Sequence, residues 1–202
     1  MAALDGVRWI GGGSGAGKST VALLLGARHG VPVVQTDLTL REHAAASAGS
    51  ATVDAFVAMS MDERWVRRDP GEMLATFPWF EGAGFDLLLA DLPPTRPLLV
   101  EGFRLLPRLV APLLGPARRA VWLLPAPEMR VRAFASRAEQ GRAFWARTSD
   151  PARALANLLE RDRRFTDRLR SECAALGLST IEVDGAMDAE EVADRVSAVL
   201  DL

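Results

Sequence analysis

Apolar residues fall along this chain in two rhythms. Five short runs, at residues 7–10, 32–35, 97–100, 120–124 and 180–183, are rich in Val, Leu, Ile and Trp. Glycine, proline or charged residues lie close to their ends. Runs of this length and setting predict strands of a mostly parallel sheet, buried on both faces. The segments between them carry the 3.6-residue spacing of amphipathic helices. Strands alternating with helices predict a three-layer α/β domain with helices on both faces of a five-stranded sheet.

Chain punctuation places several helix ends. A helix is predicted over 19–28, with Gly30 as its cap and Pro32 as a stop just beyond. Asp150-Pro151 opens a long helix to about Leu176, ahead of Gly177, and the last helix, 189–200, follows a turn at Asp184-Gly185. Two stretches break the alternation. Residues 38–96 are too long for a loop and hold amphipathic pieces at 52–59, 70–76 and 84–92, so they predict an inserted helical lobe. Residues 139–151 have weak periodicity and contain Gly141, Thr148, Ser149 and Asp150, which predicts a mobile flap.

The turn after the first predicted strand carries the strongest chemical signal. Gly12, Gly13, Ser14, Gly15, Ala16, Gly17, Lys18 and Ser19, followed by Thr20, fit G-x-x-x-x-G-K-[ST]. In that pattern backbone N–H groups cradle phosphates, the lysine reaches the β- and γ-phosphates, and the hydroxyl binds Mg²⁺. The bland alternative is a glycine-rich surface turn. Strand, turn, helix and cap agree on the first reading, which implies nucleoside triphosphate binding. Composition sharpens it: of 24 Lys and Arg residues, Lys18 is the only lysine. An ammonium is a compact point charge that fits between phosphoryl groups, whereas guanidinium is a broad planar fork.

Global properties narrow the field. A chain of 202 residues with 49% hydrophobic content suits one domain, and no apolar run reaches the length of a membrane span. The N-terminal stretch does not read as a secretory signal, and the single cysteine, Cys173, allows no internal disulfide or cysteine-based metal cluster. A cytoplasmic protein, with no membrane association, is the expectation. A net charge of −2 argues against a broad nucleic-acid surface. A monomer and a homodimer both stay open.

Two acids end predicted strands, where ligands gather in open α/β sheets. Asp37 follows the second strand. It would accept the proton of an attacking hydroxyl or hold Mg²⁺ through water; alternatively it caps a helix starting at Leu38. Glu101 closes the third strand, with Gly102 leaving room beside it. It is a candidate to organise Mg²⁺ together with Ser19, or a buried acid partnered by Arg104. Eleven arginines cluster between Glu128 and Arg170. Arg130, Arg137, Arg142 and Arg147 are candidates to stabilise phosphoryl charge. For most of the cluster a salt-bridged, solvated helix surface is the expectation, with Glu139 and Glu160 as partners. Trp65, Phe77, Trp79, Phe80 and Phe85 line a pocket for a planar substrate or form core. His29 and His43 read as surface or cap residues.

Taken together, residues 12–20, Asp37, the Leu99-Val100-Glu101-Gly102 strand end and the arginine-rich segment resemble the small-molecule P-loop kinases. That group includes uridine kinase, nicotinamide riboside kinase, shikimate kinase and chloramphenicol phosphotransferase. Glu101-Gly102-Phe103 is most similar to the uridine and nicotinamide riboside kinase branch. The resemblance implies a P-loop NTPase fold with strand order 2-3-1-4-5, ATP and Mg²⁺ as cofactors, and a small-molecule acceptor. It further implies Asp37 as base, Glu101 near Mg²⁺ or substrate, and Arg137, Arg142 and Arg147 on a lid over ATP. It covers the nucleotide half well and the 38–96 lobe, which would choose the acceptor, poorly. A nucleotide-dependent switch, an ATPase acting on a protein partner and a nucleotide sensor are the competing classes. Lys18 being the sole lysine, no Asn-Lys-x-Asp guanine-reading motif exists.

Overall fold

The computed structural model describes residues 4–115 and 117–202, and among these described residues there are ten α-helices and five strands. The first three residues, part of the stretch read for a leader, lie outside it. β1 (Val7–Gly12), β2 (Val33–Gln35), β3 (Leu98–Glu101), β4 (Ala120–Pro125) and β5 (Ser179–Val183) form one parallel sheet in the order 2-3-1-4-5. All five predicted strands are present, within one or two residues of their expected ends. β1 runs on through Gly11 and Gly12 because both pair with β4, at Trp122 and Leu123. β3 begins at Leu98 rather than at Pro97, which has no N–H to donate.

The pleat sorts side chains onto two faces. Ile10, Leu99, Val121, Leu123, Ile181 and Val183 pack with α1 (Lys18–His29) and α10 (Ala189–Leu200). Trp9, Val100, Trp122 and Leu124 point the other way, into a cluster shared with the helical lobe and α9 (Pro151–Leu176). This second core holds most of the aromatic side chains. Trp122 also donates its indole N–H to the Leu105 carbonyl oxygen at 2.8 Å, which satisfies the polar end of that ring.

The expected lobe is helical: α2 (Leu40–Ala46), α3 (Ala51–Ala58), α4 (Met61–Trp65), α5 (Pro70–Ala75) and α6 (Phe85–Ala90). α4 was not expected, although Ser60 and Glu63 form a reciprocal capping box at its start. Beyond β3 come α7 (Pro107–Val110) and, after β4, α8 (Pro127–Glu139). α9 starts where the Asp150-Pro151 pair predicts, Asp150 accepting from the Arg153 N–H at 3.0 Å, and Gly177 ends it with φ 60°. Among the described residues no helix is long and apolar enough to cross a membrane.

Candidate active site

The loop between β1 and α1 wraps back over the carboxyl end of the sheet. Gly12 and Gly13 pass so close to β4 that a side chain would collide: a Cβ on Gly13 would lie 2.6 Å from Thr166 Oγ1 and 2.9 Å from Pro125 Cδ. Gly15 and Gly17 sit at φ 89° and 74°, in the left-handed region that glycine reaches without strain. Lys18 opens α1, is 8% exposed, and bends back to donate from Nζ to the Gly13 carbonyl oxygen at 2.9 Å. Burial pulls its ammonium below the usual lysine value, opposed by the charges of Asp37 and Glu101.

Glu101, 1% exposed, lies at the end of β3 beside Ile10 of β1 and Gln35 of β2. Its Oε1 accepts from Ser19 Oγ at 2.8 Å and from Gln35 Nε2 at 3.3 Å, and its Oε2 has no hydrogen-bond partner among the described residues. A buried carboxylate oxygen left bare is costly, and a hard cation is one group that would satisfy it. Ser19 Oγ and Glu101 Oε1 thus bring together the two side chains predicted to organise Mg²⁺. Among the described residues no cluster of three or more His, Cys, Asp and Glu could hold a metal. The fit is therefore to an ion held by one or two side chains together with phosphate and water oxygens, the usual manner for Mg²⁺.

Burial pushes the Glu101 carboxyl above its ordinary range, against the Ser19 hydrogen bond and the Lys18 charge. A carboxyl raised in the fold stabilises the protein below its unfolded value. That contribution is lost as pH rises through the folded value. Glu101→Gln keeps an acceptor for Ser19 and removes the buried charge. Differential scanning fluorimetry without Mg²⁺ should show its Tm above wild type at pH 8, the gap closing towards pH 4. Equal Tm values at both ends would mean that Glu101 is not held as a strained buried acid.

Asp37 sits in a 3₁₀ turn, Thr36–Thr39, directly after β2. The helix-cap reading fails: α2 begins at Leu40, and neither the turn nor α2 has a side-chain cap. Asp37 is exposed and stands over Gly102, where a Cβ would collide with Thr36 Oγ1 and lie 3.1 Å from Asp37 Oδ1. Lys18, Ser19, Asp37 and Glu101 therefore converge at one end of the sheet.

The arginines divide. Arg137, on α8, stacks on Phe134 at 4.9 Å, forms no ion pair among the described residues, and lies within electrostatic reach of Lys18 and Asp37. Arg142 and Arg147 are exposed, Arg142 binding Gln140. Arg130 packs beside the loop, its Cα 3.1 Å from where a Cβ on Gly15 would sit; it is 2% exposed and donates to Thr166 Oγ1 at 2.6 Å. Arg163, Arg164, Arg168 and Arg170 form the predicted salt-bridged surface, with Glu160, Asp167, Glu172 and Glu182 among their partners. The 139–151 segment contains a 3₁₀ turn, Phe144–Arg147, with Trp145 buried against Phe134. Ser149 donates from N to Asp62 Oδ1 at 2.8 Å, and from Oγ to the same carboxylate, so the segment is clasped to the lobe.

Four functional candidates were missed or misplaced by sequence reading. Arg161, in a cluster for most of which a solvated face is the expectation, is buried, paired with Asp162 at 2.6 Å, and 4.9 Å from the Phe77 ring. Asp162, 1% exposed, acts electrostatically on Lys18, Arg130 and Arg137. His43, read as a surface or cap residue, is 4% exposed and bonded to Asp91 and Arg104. Arg104, read as a partner for Glu101, contacts His43 and the Asp37 turn instead.

Between the glycine-rich loop and the lobe lies a cavity of about 680 Å³. Ser14 of the loop borders it, and Phe56, Trp65, Phe77, Trp79, Phe80, Phe103 and Phe144 line it. Trp65, Phe77, Trp79 and Phe80 are core by burial and pocket by position, whereas Phe85 is core alone.

No protein-family model matches the sequence, and no curated protein matches it. Among solved structures the chain is similar to the shikimate kinase of Bacteroides thetaiotaomicron. The two are 15% identical, with 97% of this chain and 98% of that one covered and a TM-score of 0.54. The shikimate kinase of Acinetobacter baumannii, solved with shikimate, is 16% identical over 96% of this chain and 93% of that one, with a TM-score of 0.47. The likeness to the Bacteroides enzyme is one of fold. The expected architecture, a five-stranded parallel sheet of order 2-3-1-4-5 with helices on both faces, is the architecture of this chain.

Proposed function

We propose that this protein is an ATP-dependent phosphotransferase that moves the γ-phosphoryl group of Mg-ATP to a hydroxyl of a small molecule. The observation that carries the reading is the cavity, which opens at Ser14 beside the phosphate cradle and is walled by the helical lobe. A nucleotide switch has no use for a preformed small-molecule pocket next to its phosphates. A phosphotransferase needs one there.

In this reading residues 12–20 bind the triphosphate through backbone N–H groups and Lys18. Ser19 and Glu101 would hold Mg²⁺, which would supply charge neutralisation on the triphosphate. The acceptor hydroxyl sits at the mouth of the cavity and gives its proton to an Asp37 carboxylate oxygen. Its own oxygen bonds to the γ-phosphorus as the bond to the β,γ-bridging oxygen breaks, and ADP leaves. Arg137 and Arg142 face the transferring charge, and the 139–151 segment closes over ATP to exclude water. The protein contributes little covalent chemistry, so placement and electrostatics carry the rate. Aromatic walls favour a ring-bearing acceptor over an open polyol.

The test is ADP release from Mg-ATP with and without pooled acceptors: nucleosides, vitamins, sugars, aminoglycosides and nucleoside monophosphates. Strong stimulation by one pool, most from ring-bearing compounds, is expected. ATP binding with no stimulation by any pool would favour the competing ATPase or switch.

A further inference from the structure

The turn that presents Asp37 is held by something other than Asp37. Arg104, three residues beyond Glu101, is 2% exposed and directs its guanidinium at this turn. Its Nη2 donates to the Thr36 carbonyl oxygen and, at 3.0 Å, to Thr39 Oγ1. Its Nη1 meets His43 Nδ1 at 2.9 Å. A guanidinium has donors only, so Nδ1 must accept, and the ring proton of neutral His43 sits on Nε2. That nitrogen donates to Asp91 Oδ2 at 2.7 Å.

One unbroken series of hydrogen bonds results. It starts at exposed Asp91, just past α6 on the rim of the lobe, and passes through His43 on α2 to Arg104 behind β3. It ends on the two residues flanking Leu38 and Asp37. Gly102 supports the same turn from below, since any Cβ there would strike Thr36. Arg104 Nε and Thr36 Oγ1 have no hydrogen-bond partner among the described residues, and breaking any of the links that are made would strand a further desolvated polar group, which favours one geometry.

We propose that Arg104 is the positioning residue for Asp37, with His43 and Asp91 fixing its guanidinium, so that seating of the lobe and aim of the base are coupled. This rests on the reading of Asp37 as base. Arg104 and His43 touch no reacting atom; they act through the turn.

The experiment measures ADP release from Mg-ATP with water as acceptor, alongside the affinity for a fluorescent ATP analogue. Arg104→Met and His43→Leu should each lower turnover roughly 10- to 100-fold, the scale of a small misplacement of a catalytic group, and leave nucleotide affinity unchanged. His43→Asn, whose amide oxygen falls near the lost Nδ1, should restore most of the turnover. In an Asp37→Asn background neither substitution should lower turnover further. Losses that multiply with that of Asp37→Asn, or a His43→Asn variant as slow as His43→Leu, would overturn the proposal. Undiminished ADP release by Asp37→Asn alone would sink the base assignment and this inference with it, a failure read from a different variant. Should Arg104→Met not fold, ¹⁵N imidazole spectra keep the question open to measurement, since the chain has two histidines. His43 should carry its proton on Nε2, and a proton on Nδ1 in wild type would refute the network.

Discussion

Lys18→Met is expected to lower ADP release from Mg-ATP by about 10²- to 10³-fold, the usual cost of removing one preorganised charge from phosphoryl or acyl transfer. Nucleotide affinity should fall with it. Stability should not. The ammonium is desolvated in the folded chain, and burial already disfavours its charged form. Methionine fills similar space without a charge, and replacing a buried ion with an apolar group of like size is often neutral or stabilising. Against that stands the lost bond to the Gly13 carbonyl oxygen, a matter of about 1 kcal/mol. A Tm within a few degrees of wild type is therefore expected. A variant that folds normally and turns over undiminished would end the assignment of residues 12–20 as a phosphate cradle.

Asp37→Asn should reduce phosphoryl transfer by about 10²- to 10⁴-fold, the range general-base catalysis supplies. ATP affinity should change little, since Asp37 is no part of the cradle. Asparagine matches aspartate in shape, and Asp37 caps no helix, so the Tm should hold as well. The diagnostic is the split between turnover and affinity, measured by steady-state ADP release and by titration of an ATP analogue. If the Tm falls while turnover per folded molecule is kept, the carboxylate serves structure and the base lies elsewhere.

Legibility of the chain followed physical range. The strands could be read because a parallel sheet covered on both faces demands runs of apolar residues, and each predicted run is a strand. Helix ends could be read where local chemistry sets them, as with Asp150-Pro151, Gly177 and Gly30. The start of α4 carries an equally local signal in Ser60 and Glu63, and went unread inside a lobe judged by periodicity alone. The arginine cluster marks the boundary. Arg163 and Arg164 pair with Glu160 three and four residues away, as helix spacing requires. Arg161, in the same run, turns inward because one helix face meets the lobe aromatics. Arg104 could not be placed at all: its partners lie 61 to 68 residues away in sequence, and the nearer acid, Glu101, was the natural guess.

By itself the sequence determined the parallel sheet, the glycine-rich loop with its single lysine, and the two acids at strand ends. Each follows from backbone sterics, burial or motif spacing acting over a few residues. Only the tertiary structure decided which side chains share a space. It set the lobe aromatics around a cavity beside Ser14, turned Arg161 and Asp162 inward, and ran Asp91, His43 and Arg104 into the turn that bears Asp37. Contacts of that kind depend on how separate elements pack, and no local pattern encodes the distance between residues that meet only when the chain is folded.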